Sequence, residues 1–158
     1  MDEKTLNAIV KTVAEQFKPL DDMSLSAARM LSERVREKAK EMGVNAVVAV
    51  SNKAARTVLV ECMDDSFIAS YDIAVGKAYT VSALKMSTSE LKKLAQPGGS
   101  LYGIQFTNEG KIVIFGGGEP LYNREGCLIG GLGVSGGTEA QDTALAEYGK
   151  KVFEKIGF

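Results

Sequence analysis

Residues 128–137 read Leu128-Ile129-Gly130-Gly131-Leu132-Gly133-Val134-Ser135-Gly136-Gly137, and Thr138-x-x-Gln141 follows at once. The run up to Val134 has the apolar character and length of a buried strand, and Thr138 with Gln141 spells a capping box that opens a helix. Gly131-x-Gly133-x-x-Gly136 therefore lies between a predicted strand and a predicted helix, as in a dinucleotide-binding turn. Such a turn belongs to a βαβ unit whose second strand brings an acidic residue about 20 positions further on. The sequence reaches Phe158 while still in or just past that helix, which leaves no second strand for the unit. Gly116-Gly117-Gly118 lacks the Gly-Lys-Ser/Thr that would complete a phosphate loop. Strand 128–134 must then pair with neighbours through hairpins, and an antiparallel sheet follows.

Working outward, Leu121–Asn123 and Cys127–Val134 form a predicted hairpin around Arg124-Glu125-Gly126, preceded by the loop Gly116-Gly117-Gly118-Glu119-Pro120. Before it, a short extended piece from Leu101 to Phe106 and a strand Lys111–Phe115 flank a turn at Asn108-Glu109-Gly110. Val44–Val50 and Thr57–Met63 are β-branched-rich runs that read as another hairpin. Helical spacing appears over residues 3–17, with Leu6, Ile9, Val10, Val13 and Phe17 on one face, Asp2 as cap and Pro19 as stop. A second helix runs from Leu25 to Met42, with Ser24 as cap, Ala28, Leu31, Val35, Ala39 and Met42 inward, and Gly43 at the C′ position. Tyr71–Leu84 with Ser70 as cap, a short helix from the Ser87-x-x-Glu90 box, and a last helix with Ala144, Leu145, Tyr148, Val152, Phe153 and Ile156 inward complete the reading. Hairpins plus grouped helices predict one α+β domain over 1–158.

Composition narrows the chemistry. The 158 residues carry a net charge of −1, 45% hydrophobic and 25% charged side chains, and no histidine. Histidine-free chains cannot build a Ser-His-Asp or Cys-His centre, a His-ligated zinc site or a proximal-His haem. Acids and bases stay balanced along the sequence, so nothing resembles the basic surface that nucleic acid or a membrane would attract. Cys62 and Cys127, far apart and outside any CxxC, read as reduced, packed thiols of a cytoplasmic protein. The start Met1-Asp2-Glu3-Lys4 has no basic n-region, and no apolar run reaches 18 residues.

Of the 17 glycines, 13 fall between Gly98 and Gly137, and that clustering needs a physical cause. Gly130, Gly131 and Gly133 in a strand imply close approach of something to the backbone: a packed helix, a second subunit or a ligand. Ser135-Gly136-Gly137-Thr138 at a helix start offers free N–H groups and the positive end of a dipole to a carboxylate or phosphate, or is an ordinary capped end. Asp64-Asp65 with Glu61 could be a divalent-cation cluster but is more simply an acidic hairpin end. Lys77, in an apolar helix, is either a buried functional amine or a snorkelling surface lysine.

These pieces together resemble the GlcG/HbpS family. The resemblance rests on Phe115-Gly116-Gly117-Gly118-Glu119-Pro120, on 128–137, on Gln141-Asp142, and upstream on Met63-Asp64-Asp65, Ser70 and Gly76-Lys77-Ala78-Tyr79-Thr80. Gln96-Pro97-Gly98-Gly99-Ser100-Leu101-Tyr102-Gly103 is similar to the branch comprising small diol- and glycerol-utilisation operon proteins and the C-terminal domain of PduO-type proteins. The resemblance implies a profilin-like fold, a five-stranded antiparallel sheet flanked by helices, and assembly into homo-oligomers. It also implies a link to haem, to cobalamin-dependent diol metabolism or to glycolate use. Haem or cobalamin is the implied cofactor, and with no histidine here haem would need Tyr, Met, Cys, Lys or Thr as axial ligand, or no axial ligand.

The function expected from residues and resemblance together is non-catalytic binding of a tetrapyrrole or small organic acid at a subunit interface. Its site would comprise Lys77, Gly116, Gly117, Gly118, Glu119, Pro120, Ser135, Gly136, Gly137 and Thr138. One alternative is an enzyme or accessory factor for a hydroxy acid, diol or aldehyde, with acid–base groups among Asp72, Lys77, Glu119 and Asp142. The other is a ligand-free assembly module in which the glycines serve subunit packing.

Overall fold

A computed structural model describes residues 2–16 and 18–158. Helix α1 (Glu3–Gln16) opens with Thr5 N–H donating to Asp2 Oδ1 at 2.7 Å; Phe17, expected on its apolar face, lies outside the described residues. Helix α2 (Leu25–Glu41) starts where Ser24 Oγ accepts from Ala27 N–H at 3.2 Å. It buries Ala28, Leu31, Val35 and Ala39 completely and ends before Gly43, whose φ of +68° is the left-handed conformation a C′ glycine supplies.

Strands β1 (Val47–Asn52), β2 (Thr57–Cys62), β3 (Gly118–Tyr122) and β4 (Leu128–Ser135) form one antiparallel sheet in the order β2-β1-β4-β3. Val48 lies opposite Val134, and Val50 opposite Leu132. Helices α2 and α5 (Glu139–Ile156) cover one face, where Leu31, Val35, Leu132, Leu145 and Phe153 form the main core. Helix α3 (Ser70–Leu84) covers the other, packing Ala74 and Ala78 on Val47 and Ala49. Burying a Leu, Val or Phe side chain fully contributes about 1.5–3 kcal/mol, so the first face supplies most of the apolar stabilisation. The second face uses small side chains and brings backbones together. A Cβ on Gly131 would lie 2.6 Å from Ala78 O, and one on Gly133 would collide with Ala74 O and come within 2.6 Å of Ala78 N. Gly131 and Gly133 admit α3, whereas a Cβ on Gly130 would meet the Ser51 carbonyl and lie 3.3 Å from Met23.

Helix α4 (Thr88–Leu94) follows the Ser87/Glu90 capping box, and α5 the Thr138/Gln141 box, both as the sequence indicates. Elsewhere the structure corrects the expectation. Four strands form, not five, among the described residues. Residues 101–110 make two 3₁₀ turns, Ile104–Phe106 and Asn108–Gly110, and 111–115 cross α3 outside the sheet. Thr80 Oγ1 takes the Val113 N–H at 2.9 Å, and Gly76 leaves space for Val113 and the Lys111 carbonyl, so this β-branched segment pairs with a helix instead of an edge strand. Strand β3 begins at Gly118, so Glu119 and Pro120 are strand residues; Pro120, without an N–H, is suited to the sheet edge. Ser70 does not cap α3: the N-cap is Ala69, and Ser70 Oγ accepts from Ser135 Oγ at 3.1 Å. On α5, Ala144 and Ile156 face out, while Asp142, Ala146 and Gly149 face in, because Leu132 and Val35 press on Gly149. Cys62 and Cys127 are exposed free thiols, not packed ones.

Candidate functional site

The site is built where the N-terminal ends of α3 and α5 meet the end of β4. Lys77 projects from the sheet side of α3, where Gly133 leaves room for its stem, and its side chain is 0% exposed. It is neither a snorkelling nor an outward lysine. Its ammonium donates to Val134 O at 2.7 Å and Asp142 Oδ2 at 3.1 Å, and lies 5.0 Å from the centre of the Phe115 ring. Burial pulls the amine below its ordinary range, and the Asp142 charge opposes that pull. The second oxygen of Asp142 accepts the Gly137 N–H at 2.8 Å. An amide at the start of α5 is thus already engaged by a carboxylate of α5 itself, which fills the role the sequence assigned to an external anion.

The Gly116–Gly118 segment closes over this pair. A Cβ on Gly117 would stand 2.6 Å from Lys77 Nζ, and Gly117 has a φ of +111°. One on Gly116 would run into Thr143 Oγ1, and one on Gly118 would meet Thr88 Cγ2 at 2.8 Å. Gly116 N–H donates to Glu139 Oε1 at 3.0 Å and Gly118 N–H to Thr88 Oγ1 at 2.9 Å. Glu139 also receives Lys92 at 2.6 Å, and these bonds hold its carboxyl below the usual range.

Lys77, Gly116, Gly117, Ser135, Gly136 and Gly137 are therefore gathered at one place. Thr138 caps α5 beside them, donating its N–H to Gln141 and accepting back through its hydroxyl. Glu119 and Pro120 are buried further along β3. Glu119 pairs with Lys150 at 3.1 Å, and burial raises its carboxyl despite that partner. Of the acid–base candidates, Lys77 and Asp142 meet, whereas Asp72 is exposed beside Arg56 and Lys111. Glu61 is held by Arg36 at 2.8 Å and Ser32 at 2.6 Å.

A shallow pocket of about 260 Å³ opens on this region, floored by Ser70, Ser135 and Asp142 and walled by Phe67, Ile73 and Phe115. Its apolar wall is open at Phe67, 71% exposed, and the same segment also exposes Ile68 (96%) and Tyr71 (50%), which lie outside the lining. Ser70, the hydroxyl partner of Ser135, and the exposed aromatic side chains are absent from the sequence-based set. Ser70 reads there as a cap, and isolated aromatics in loops carry no periodicity that would mark them.

A four-stranded antiparallel sheet between α2/α5 and α3, with a buried lysine–aspartate pair at one end, places the chain among α+β domains with a glycine-lined helix–sheet contact. The chain belongs to the HbpS-like family, described as haem degrading protein HbpS-like, whose model matches residues 23–151. It is 44% identical over 134 residues to an uncharacterized 15.0 kDa protein in the dhaT-dhaS intergenic region of Citrobacter freundii, covering 85% of this chain and 94% of that one. It is 35% identical to the corrinoid adenosyltransferase PduO of the same organism, covering 89% of this chain and 45% of PduO, so it spans less than half of that relative. Among solved structures, Klebsiella pneumoniae protein ORFY superposes with a TM-score of 0.82 at 40% identity, covering 87% of this chain and 94% of ORFY. The PduOC:Heme complex superposes with a TM-score of 0.78 at 35% identity, covering 82% and 94%.

Proposed function

We propose that the chain binds a flat tetrapyrrole of the haem or corrinoid class on the apolar surface formed by Phe67, Ile73 and Phe115 of the pocket and the exposed Ile68 and Tyr71 of the adjoining segment, with a second subunit covering the exposed side. The observation that carries this is the exposed apolar segment at the pocket: Phe67 stands largely uncovered over a polar floor, and Ile68 and Tyr71 continue that apolar surface along the chain, an arrangement characteristic of interaction sites. The relative captured as a PduOC:Heme complex supports the ligand class. A small organic acid fits less well, because the lining carries Asp142 and Glu139, and the cations beside them, Lys77 and Lys92, are each already paired with one of these carboxylates. The pocket lining does not fit an axially ligated haem, having no Met, Tyr, Cys, Lys, Thr or His (Tyr71 lies outside it), and 260 Å³ cannot enclose a porphyrin ring. The ligand therefore lies on the surface and is held by its faces.

Titrating the purified protein with haemin and with hydroxocobalamin tests this. A saturable spectral change at micromolar ligand is expected for at least one, weakened severalfold or more in Phe67→Ser/Ile68→Ser. Absence of saturable change with both, or equal binding by the variant, would overturn the proposal.

A further inference from the structure

A second cavity, of about 470 Å³, opens along α3 between the β1–β2 turn and the segment that crosses the helix. Strand β2 is a sheet edge, and 111–115 lies on α3 instead of pairing with it, so a gap stays between them. Small-molecule sites span roughly 300–1,000 Å³, which includes this volume. Asp72, Val75, Gly76 and Tyr79 recur three or four positions apart, so one face of α3 makes the floor. Ile73, Val75 and Val113 line it half-buried. Ile73 is the one residue shared with the Ser70–Ser135 pocket.

Several polar groups of this lining are not used by the fold. Arg56 and Asp72 make no ion pair among the described residues, with each other or with any other group. Tyr79 Oη accepts from Asn108 Nδ2 at 3.0 Å, and its own O–H has no acceptor among the described residues. Lys111 is drawn away to Glu109, at 2.7 Å, whose side chain is 82% exposed. The wall beside it has an uncommon backbone. Asn108, Glu109 and Gly110 have successive φ values of +51°, +58° and +72°, and Glu109 lacks both the freedom of glycine and the local bonding of asparagine. The Asn108–Tyr79 bond ties this turn to α3. A strained turn fixed by its surroundings holds a cavity wall in one shape before a ligand arrives.

We propose that this cavity binds a small monocarboxylate with an apolar body. The carboxylate accepts from Arg56 and from the Tyr79 hydroxyl, and the body lies on Ile73, Val75 and Val113. A guanidinium holds a carboxylate by two parallel N–H bonds, the best geometric match among side chains. Asp72, unpaired in the same lining, repels a second negative charge, so dicarboxylates and phosphate esters are disfavoured.

Methyl NMR of the full chain, titrated with 3-phenylpropionate and with hexanoate, tests this. Saturable shifts centred on the Ile73, Val75 and Val113 methyls are expected for at least one acid, with a Kd at or below about 1 mM. Arg56→Met should raise that Kd about tenfold or more, the worth of a hydrogen bond to a charged group, and Tyr79→Phe severalfold. The neutral 3-phenylpropanamide should bind more weakly than its acid and be indifferent to Arg56→Met. Phe67→Ser/Ile68→Ser should leave these titrations unchanged, so failure of tetrapyrrole binding is read separately. Absence of such shifts with both acids, equal binding by Arg56→Met, or an amide bound as tightly as its acid would each overturn the proposal. Loss of acid binding in Phe67→Ser/Ile68→Ser would also overturn it, by moving the acid to the Ser70–Ser135 pocket.

Discussion

Replacing Lys77 by Met separates a structural ammonium from a dispensable one. Methionine keeps the unbranched stem and most of the volume, so little cavity forms. It removes a charge that stands 3.1 Å from Asp142 Oδ2 with no exposed surface. At an effective dielectric of about 20, two unit charges at that distance attract by about 5 kcal/mol. Desolvating both ions costs several kcal/mol each, so the intact pair contributes little net stability. Breaking it is different: Asp142 would keep the Gly137 N–H but hold an uncompensated buried charge, a loss of about 3–5 kcal/mol. Urea unfolding at neutral pH should show that loss as a lower midpoint at unchanged slope. Lys77→Met/Asp142→Leu should lose less than the two single changes added together, by about 1–3 kcal/mol of coupling. A single-variant loss below about 1 kcal/mol would refute the pairing as described.

Gly133→Ala should be among the most damaging methyl additions in the chain, at about 3 kcal/mol or more, because α3 backbone blocks the space; Gly126→Ala meets nothing within 4 Å and costs only the strain of its φ of +79°, about 1–2 kcal/mol. Thermal midpoints of the two variants compare them directly. Glu139→Gln should flatten the acid limb of stability. The depressed carboxyl of Glu139 stabilises the fold above its unfolded value of 4.5, and that contribution is lost as pH falls through the lower folded value. A thiol reagent should titrate both Cys62 and Cys127 in the native protein without denaturant, since both are exposed.

Local signals carried much of the architecture. Ser24, the Ser87/Glu90 box and the Thr138/Gln141 box start helices where their side chains satisfy first-turn N–H groups, and each of those contacts is complete within four residues. The segment 101–115 reads as extended because its β-branched residues fit a strand equally well, and only Gly76 and Thr80, some 30 positions away, decide that 111–115 lies on a helix. Glycine clustering signalled close approach without naming the neighbour: at Gly131 and Gly133 it is α3, at Gly130 the Ser51 carbonyl and Met23, and at Gly117 the Lys77 ammonium. That the lysine is buried depends on Asp142, 65 positions away, and no spacing rule links the two.

The contact of α3 with β4 has a mechanical consequence. Side chains between a helix and a sheet normally act as a compliant layer, changing rotamer to absorb small displacements. At Gly131 and Gly133 that layer is missing, and the carbonyls of Ala74 and Ala78 meet the strand directly. Any push on the Phe67–Tyr71 end of α3, by a bound ring or a neighbouring subunit, is therefore transmitted to β4 and its hairpin as a rigid displacement. The bare strand makes α3 and the sheet a single lever.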